Sequence, residues 1–297
     1  MSAEPTWAIA LHGGAGVEPT RDYSPAVRHL DELVRDMADR LKAGASALDT
    51  VEEAVAAMEA SGLYVAGRGS APSTSGVVEL DASIMDGARR KAGAVAAAPQ
   101  LMHPVRVARD VMETTAHVLL AGEGALAFAQ AHGHPLVKDP SAYYVLPPGV
   151  DAEDLTPDLA AAGRQHGTVG AVALDTQGRL AAATSTGGLF GKLAGRVGDT
   201  PLIGSGTWAD ETVAVSCTGT GEYFILAGGA QDVASRMRYL AVPVQAAVDG
   251  LIADVGHLGG DGGVIAVNRA GEVAFGCNTP GMKRAAAGSG FAPFASL

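Results

Sequence analysis

The stretch that most limits what this chain can fold into is His166-Gly167-Thr168-Val169-Gly170-Ala171-Val172-Ala173. A polar run punctuated by Pro135, Pro140, Pro147, Pro148 and Pro157 precedes it, and an apolar strand comes after. About thirty residues with no convincing element are unusual inside a compact domain, and such loops are functional or linkers. The run over 135–167 therefore reads as an exposed, flexible linker. It ends at a glycine followed by a threonine at the start of a strand that reads as buried. Scission of the Gly167–Thr168 bond would leave Thr168 with a free α-amine beside its own hydroxyl, and an amine so placed activates a threonine nucleophile. Taken alone, the dipeptide reads more simply as an ordinary turn into an ordinary strand, so residues downstream of Thr168 must carry the assignment.

Around that stretch the pattern is that of a layered protein. Residues 7–11 read as a strand entering a tight glycine-rich turn at His12-Gly13-Gly14-Ala15-Gly16. A tight strand-exit turn is favoured there over a phosphate cradle, because neither the Lys-Ser/Thr of a P-loop nor dinucleotide spacing is present. Ser24-Pro25 opens a helix whose Val27, Leu30, Val34, Met37 and Leu41 recur at helical spacing up to Gly44. Ser46 with Asp49 three residues on resembles a capping box for a second helix. Strands are expected over 77–80 and 82–85, a helix from Pro104 to about Glu113, a short strand over 117–120 and a helix from Glu123. After the linker come a hairpin of 168–174 with 179–184, a strand over 212–217, helices over 222–238 and 244–257, and a closing hairpin of 263–268 with 272–277. Ala171 to Leu174 and Val264 to Val267 are continuous apolar runs, as strands covered on both faces require. Helices do not alternate strictly with strands, which favours an α+β arrangement of two stacked sheets covered by helices on both outer sides.

Composition removes several classes of function. With 32 acidic against 21 basic residues and a net charge of −11, no basic stripe is available for nucleic acid or an anionic membrane. The two cysteines, Cys217 and Cys277, define neither a metal pair nor a disulfide framework, so a reducing cytoplasm is expected. The N-terminus lacks the basic and apolar regions of a signal peptide, and no run approaches the roughly 18 apolar residues of a membrane span.

Three stretches downstream of Thr168 carry groups that chemistry can use. Thr184-Ser185-Thr186-Gly187-Gly188 ends the strand paired beside Thr168, so its hydroxyls are within reach of it; a polar strand end is the plainer alternative. Gly195-Arg196-Val197-Gly198-Asp199 sets a cation and an anion three residues apart, able to grip the α-carboxylate and α-ammonium of an amino acid. A surface Arg–Asp pair is the alternative, worth ~0–1 kcal/mol. Ser216-Cys217-Thr218-Gly219-Thr220-Gly221-Glu222 leads from a strand into a helix, where N–H groups and a hydroxyl can face an oxyanion, or simply cap the helix.

Together these stretches resemble the plant-type L-asparaginase/isoaspartyl peptidases of the N-terminal nucleophile hydrolases. The matching segments are LHGGAG (11–16), LDASIMDG (80–87), KAGAVA (91–96), GEGA (122–125), HGTVGAVA (166–173), ATSTGG (183–188), GRVGDTPLIG (195–204) and SCTGTGE (216–222), spread over nearly the whole chain. The resemblance implies a single domain over 1–297, a four-layer αββα sandwich. It implies autoproteolysis at Gly167–Thr168 into an α-subunit (1–167) and a β-subunit (168–297), assembled as a homodimer of αβ units. Thr168 would be the nucleophile and its amine the base, with Thr186 hydrogen-bonded to it. Arg196 and Asp199 would anchor the substrate's α-carboxylate and α-amino groups. Thr218 and Gly219 would form the oxyanion hole, and the Gly221 carbonyl would help hold the substrate amine. The implied substrates are L-asparagine and β-aspartyl dipeptides, with no cofactor in catalysis. A structural sodium ion on main-chain carbonyls of the loop from Glu59 to Gly69 is implied as well. That loop departs from the family, reading Val65-Ala66-Gly67 where Asn-Ala-Gly is usual and Gly62 where Pro is frequent; the lost Asn bears on maturation speed or loop rigidity.

Within the superfamily a glycosylasparaginase is disfavoured by the leaderless N-terminus, and a threonine-aspartase protease by the amino-acid clamp. The rival from another class is a catalytically silent binding protein for small amino acids.

Overall fold

The computed structural model describes residues 5–148, 150 and 167–297. In chain order the elements are β1 (Ala8–Ala15), α1 (Ser24–Lys42), α2 (Ala47–Ser61), β2 (Glu79–Asp86), β3 (Lys91–Pro99), α3 (Pro104–Thr114), β4 (Leu119–Ala121), α4 (Gly122–Ala131) and α5 (Pro140–Tyr143). The second half adds β5 (Val169–Leu174), β6 (Leu180–Thr186), β7 (Thr207–Ala209), β8 (Val213–Gly219), α6 (Gly221–Leu226), α7 (Gly229–Leu240), α8 (Val244–His257), β9 (Gly262–Asn268), β10 (Val273–Cys277), β11 (Met282–Gly288) and β12 (Phe291–Ser296).

These strands build two sheets. The larger runs β12-β11-β1-β5-β6-β2-β3-β4 and the smaller β10-β9-β8-β7. Neighbours are antiparallel except the parallel pair β3 and β4. Alternation along the strands sorts side chains between two layers, as the two-residue period of a strand demands. On β1, Ile9 and Leu11 face α1 to α4, whereas Ala8 and Ala10 face the smaller sheet. On β5, Val169, Ala171 and Ala173 take the helix side and Val172 and Leu174 the inter-sheet side. Helices α7 and α8 cover the far face of the smaller sheet through Val233, Val248 and Leu251. The result is a four-layer αββα sandwich, with small inner residues letting the sheets approach.

Local signals explain the helices. Pro25 lies in the first turn of α1, Leu30, Val34, Met37 and Leu41 are buried along one side, and Arg40 and Lys42 sit at the C-terminal end, where cations complement the helix dipole. Burying each Leu there contributes ~1.5–3 kcal/mol. Ser46 caps α2 by accepting from the Asp49 N–H at 3.1 Å while its hydroxyl donates to the Asp49 carboxylate at 2.6 Å.

Several expectations need correction. The strand at 7–11 does not stop at a turn: β1 runs on to Ala15, with a register irregularity between His12 and Ala15. The stretches at 77–80 and 82–85 form one strand, β2, paired with β3, which patterning alone missed. The helix expected over 222–238 is two, α6 and α7, broken where Gly228 adopts φ +70°. The hairpin of β9 and β10 does not close the chain, since β11 and β12 come after it and add to the larger sheet. Of the expected linker, residues 149 and 151–166 lie outside the described residues. Residues 135–148 carry structure: α5 is capped by Asp139, Val137 is buried, and Val145 N–H donates to the Arg68 carbonyl at 3.0 Å.

Candidate active site

Thr168 precedes the first residue of β5, between β1 and β6 at the centre of the larger sheet, and is 6% exposed. Its hydroxyl donates to Thr186 Oγ1 at 3.1 Å. Thr186 Oγ1 lies 3.5 Å from the Val65 carbonyl and accepts from Gly188 N–H at 3.0 Å. This pair exists because β5 and β6 are hairpin partners in which Val169 opposes Ser185, bringing Thr186 beside Thr168.

The glycine on the other side of the candidate scissile bond is held by close approach. A Cβ at Gly167 would fall inside the Val65 side chain and 2.7 Å from the Val65 nitrogen. Val65 therefore packs directly on Gly167. Its carbonyl accepts from Gly187 N–H at 2.8 Å, which ties the 59–69 loop to the strand end at Thr186.

Thr168, Thr186, Arg196, Asp199 and Gly219 line one cleft together with Gly188, Leu189, Gly198 and Thr200. Thr218 and Gly221 stand just behind its wall. The Thr218 hydroxyl accepts from Ala15 N–H at 3.4 Å, and Gly221 packs so tightly on Asp199 that a Cβ there would lie 2.7 Å from its nitrogen and Oδ1. Gly219 adopts φ +145°, open only to glycine, which turns the chain end of β8 toward the cleft.

The cation and anion of the clamp are not paired with each other. Arg196 donates two bonds to Glu222, at 2.8 and 2.6 Å, in the planar fork expected of a guanidinium–carboxylate contact. Asp199 is 3% exposed, its Oδ2 has no hydrogen-bond partner, and burial pushes its carboxyl up to about 7 against the opposing pull of Arg196. A buried carboxylate with one oxygen left without a partner is poised for a cationic ligand group. Behind Arg196 lies Asp81, fully buried and directly across β2 from Thr186. Burial raises its carboxyl, with Lys192 and Arg196 opposing, and burial also lowers the Lys192 ammonium.

Sequence reasoning missed His12, which it places in a turn, and the partner role of Glu222. His12 is fully buried, and burial pushes its imidazole down to about 3, so it is neutral. The carbonyl of Thr168 can only accept, so His12 Nδ1–H donates to it at 3.0 Å, and Nε2 must then accept from Ser216 Oγ at 2.8 Å. Thr184 lies next, 2.8 Å from Ser216; Thr207 donates to Thr184 at 2.5 Å, and Ser83 lies 2.7 Å from Thr207 and 2.6 Å from the Thr200 carbonyl. A continuous chain of side chains thus joins the Thr168 carbonyl to the residue after Asp199. Strand alternation held the signal for His12, because it shares the inner face of β1 with Ala8 and Ala10.

No cluster of three or more His, Cys, Asp or Glu able to hold a metal ion occurs among the described residues. In the 59–69 loop the Glu59 carbonyl is pressed against Gly67, and the Gly62 and Tyr64 carbonyls against Gly69, where the Tyr64 carbonyl also accepts from Ala66 N–H at 2.8 Å. Hard cations favour such a set of carbonyls.

A model of the family described as asparaginase matches residues 5–292. The chain belongs to the asparaginase family. It is 45% identical over 293 residues to the isoaspartyl peptidase of Salmonella typhimurium, covering 93% of this chain and 94% of that protein. The isoaspartyl peptidase of Escherichia coli is 44% identical, over 93% of this chain and 91% of its own. The plant-type L-asparaginase of Pyrococcus abyssi is 40% identical, over 94% and 95%. No helix among the described residues is long and apolar enough to cross a membrane.

Proposed function

We propose that this asparaginase-family chain hydrolyses the β-aspartyl amide of L-asparagine and of β-aspartyl dipeptides through a covalent threonine ester. The observation that carries the reading is one cleft holding the Thr168 hydroxyl, its Thr186 partner, Arg196 and the buried Asp199 carboxyl with its unpartnered Oδ2, at a strand start reached through Gly167. In the precursor, Thr168 Oγ attacks the Gly167 carbonyl carbon. The C–N bond breaks, the nitrogen takes the proton, and water hydrolyses the resulting ester to a Gly167 carboxylate and a free Thr168 hydroxyl and amine. This divides the single domain into an α-subunit (1–167) and a β-subunit (168–297).

The α-amine, with an ordinary pKa near 7.7–8.0, is a base matched to neutral pH. It takes the Thr168 hydroxyl proton as Oγ adds to the substrate β-carbonyl. Thr218 and Gly219 receive the oxyanion through backbone N–H and the Thr218 hydroxyl, which accepts from Ala15 N–H and keeps its own proton to donate. The amine returns the proton to departing ammonia or to the leaving amino acid. Water, deprotonated by the same amine, then releases aspartate. Arg196 holds the α-carboxylate, sharing its fork with Glu222. Asp199 receives the α-ammonium, assisted by the Gly221 carbonyl. His12 fixes the Thr168 carbonyl and hence the direction of its amine and hydroxyl.

The same reading includes a homodimer of αβ units in the cytoplasm. It also includes a sodium ion on the carbonyls of Glu59, Gly62 and Tyr64, which would stiffen the loop that backs Val65. Denaturing electrophoresis and parallel kinetics test it. Two bands summing to 29.8 kDa, with turnover of L-asparagine and of a β-aspartyl dipeptide, are expected. One permanent band that binds asparagine without turnover would replace the hydrolase with a silent binder.

A further inference from the structure

Lys283 lies on β11 with its side chain toward α1, and it is 7% exposed. It has no carboxylate or hydrogen-bond partner among the described residues; its ammonium sits 4.8 Å from the centre of the Tyr23 ring. Burial pushes it down to about 8. The position is unfavourable for a cation in a second way. Lys283 opens on a cleft whose wall includes Tyr23, Pro25 and Ala26, the first turn of a 19-residue helix that has no acidic residue there. That end of a helix carries a partial positive charge. Asp22 also borders the cleft, but its carboxylate accepts from Ser24 N–H at 2.8 Å and makes no ion pair with Lys283.

An ammonium that is more than nine-tenths buried, has no ion-pair partner among the described residues and shares a cleft with a helix N-terminus suits an anion. The cleft is small, which suits a carboxylate. Gly167 lines it too, along with Pro147, Pro148 and Val150. Hydrolysis of the Gly167–Thr168 bond consumes one water and leaves a carboxylate on Gly167, inside this wall.

We propose that Lys283 and the first turn of α1 form a carboxylate-binding site, occupied after maturation by the new C-terminal carboxylate of Gly167. The occupant rests on the proposed cleavage; the site itself does not. Its role is to hold the end of the α-subunit away from the Thr168 amine once the bond is cut, so that the amine is free to act as base. A free carboxylate from solution has the same chemistry and is the competing source.

The test reads the protonation of Lys283 through its rate of acylation, located by mass spectrometry. The surrounding titratable groups are Asp22, Tyr23, Tyr64 and His12, and none of them is altered. Three samples in carboxylate-free buffer at pH 7 suffice: matured protein, uncleaved Thr168→Ala protein, and the latter with added acetate. A bound carboxylate raises the lysine by one pKa unit or more, which slows acylation about tenfold or more. Slower acylation in matured protein than in Thr168→Ala supports Gly167 as occupant. Slowing by acetate alone supports the site and assigns it to free carboxylates. Equal rates in all three samples overturn the site. If the parental protein stays a single chain, the cleavage reading fails, and the acetate arm on that chain still decides the site.

Discussion

The same strands are apolar at one end and hydroxyl-bearing at the other, and the two ends serve different purposes. At the hairpin end Leu174 of β5 opposes Leu180 of β6 and Ala8 of β1, and β8 begins at Val213 and passes through Val215. At the far end stand Thr168, Thr184, Thr186, Ser216 and Thr218, with His12 on β1 opposite Gly170. Both ends are buried. Threonine shares valine's branched shape and strand preference, so the hydroxyl end keeps the sheet geometry while adding groups that must find partners. The apolar end gains free energy by leaving water. The hydroxyl end gains little net, since its hydrogen bonds replace those to water, but it holds Thr168 in one orientation. Rigid placement of Thr168 and stabilisation of the fold are thus divided along each strand.

Removing the Thr168 hydroxyl tests this division most severely. Thr168→Ala should abolish both chain scission and turnover while leaving the fold intact, and Thr168→Ser should keep some of each; electrophoresis and asparagine kinetics on the two purified proteins decide it. Next in size, Gly167→Val should slow scission at least tenfold, because a β-branched side chain must enter space filled by Val65. Precursor loss followed over time at the parental rate would show that the close approach does not matter.

The two ends can then be set against each other directly. Leu174→Ala should cost ~2–5 kcal/mol of stability with kcat nearly unchanged below the melting temperature. Ser216→Ala should cost ~1–3 kcal/mol, by leaving His12 Nε2 and Thr184 short of a partner, and should lower kcat more than it raises KM. Urea melts beside steady-state kinetics separate the two outcomes, and a kcat loss in Leu174→Ala equal to that in Ser216→Ala would dissolve the distinction.

Within the cleft, Arg196→Lys should lower kcat/KM on asparagine by roughly one to two orders of magnitude, the equivalent of ~1.5–3 kcal/mol, because lysine cannot reproduce the two-pronged contact. Scission should be spared, and unchanged kinetics would remove Arg196 from the clamp. A test on stability instead of turnover concerns Asp199 in substrate-free protein. Its folded-state carboxyl titrates at about 7 against an ordinary 3.8, so the folded state keeps a proton that the unfolded chain releases. Stability should therefore fall as pH rises from about 4 to about 7, by at most about 1.4 kcal/mol per pH unit, and level off above that. Asp199→Asn should flatten the dependence in unfolding measurements across that range; an unaltered slope would place the titration elsewhere.

Much of this was open to reading in one dimension. Helices α1 and α2, the cap at Ser46, the hairpin of β5 and β6, and the threonine, arginine and aspartate of the candidate site arise from local pattern. Each depends on residues within a few positions of one another, or on a motif whose parts lie in one stretch. Strands β11 and β12 escaped because nothing local marks them as completing a sheet: β11 pairs with β1, at the opposite end of the chain. The turn assigned at His12 failed for the same reason, since backbone pairing with Gly170 and Arg284, far along the chain, holds that segment as strand.

What the sequence by itself determined is the inventory: a threonine after a glycine, the charges of the clamp, and the patterning that makes four layers. What only the tertiary structure decided is the state of those groups. Arg196 is drawn to Glu222 instead of Asp199, Asp199 keeps one oxygen without a partner and is raised toward neutrality, His12 is kept neutral as a donor to Thr168, and Lys283 is stranded at a helix N-terminus. The physical reason is that desolvation and hydrogen-bond direction belong to the surroundings of a group rather than to its identity, and residues far apart in the chain build those surroundings.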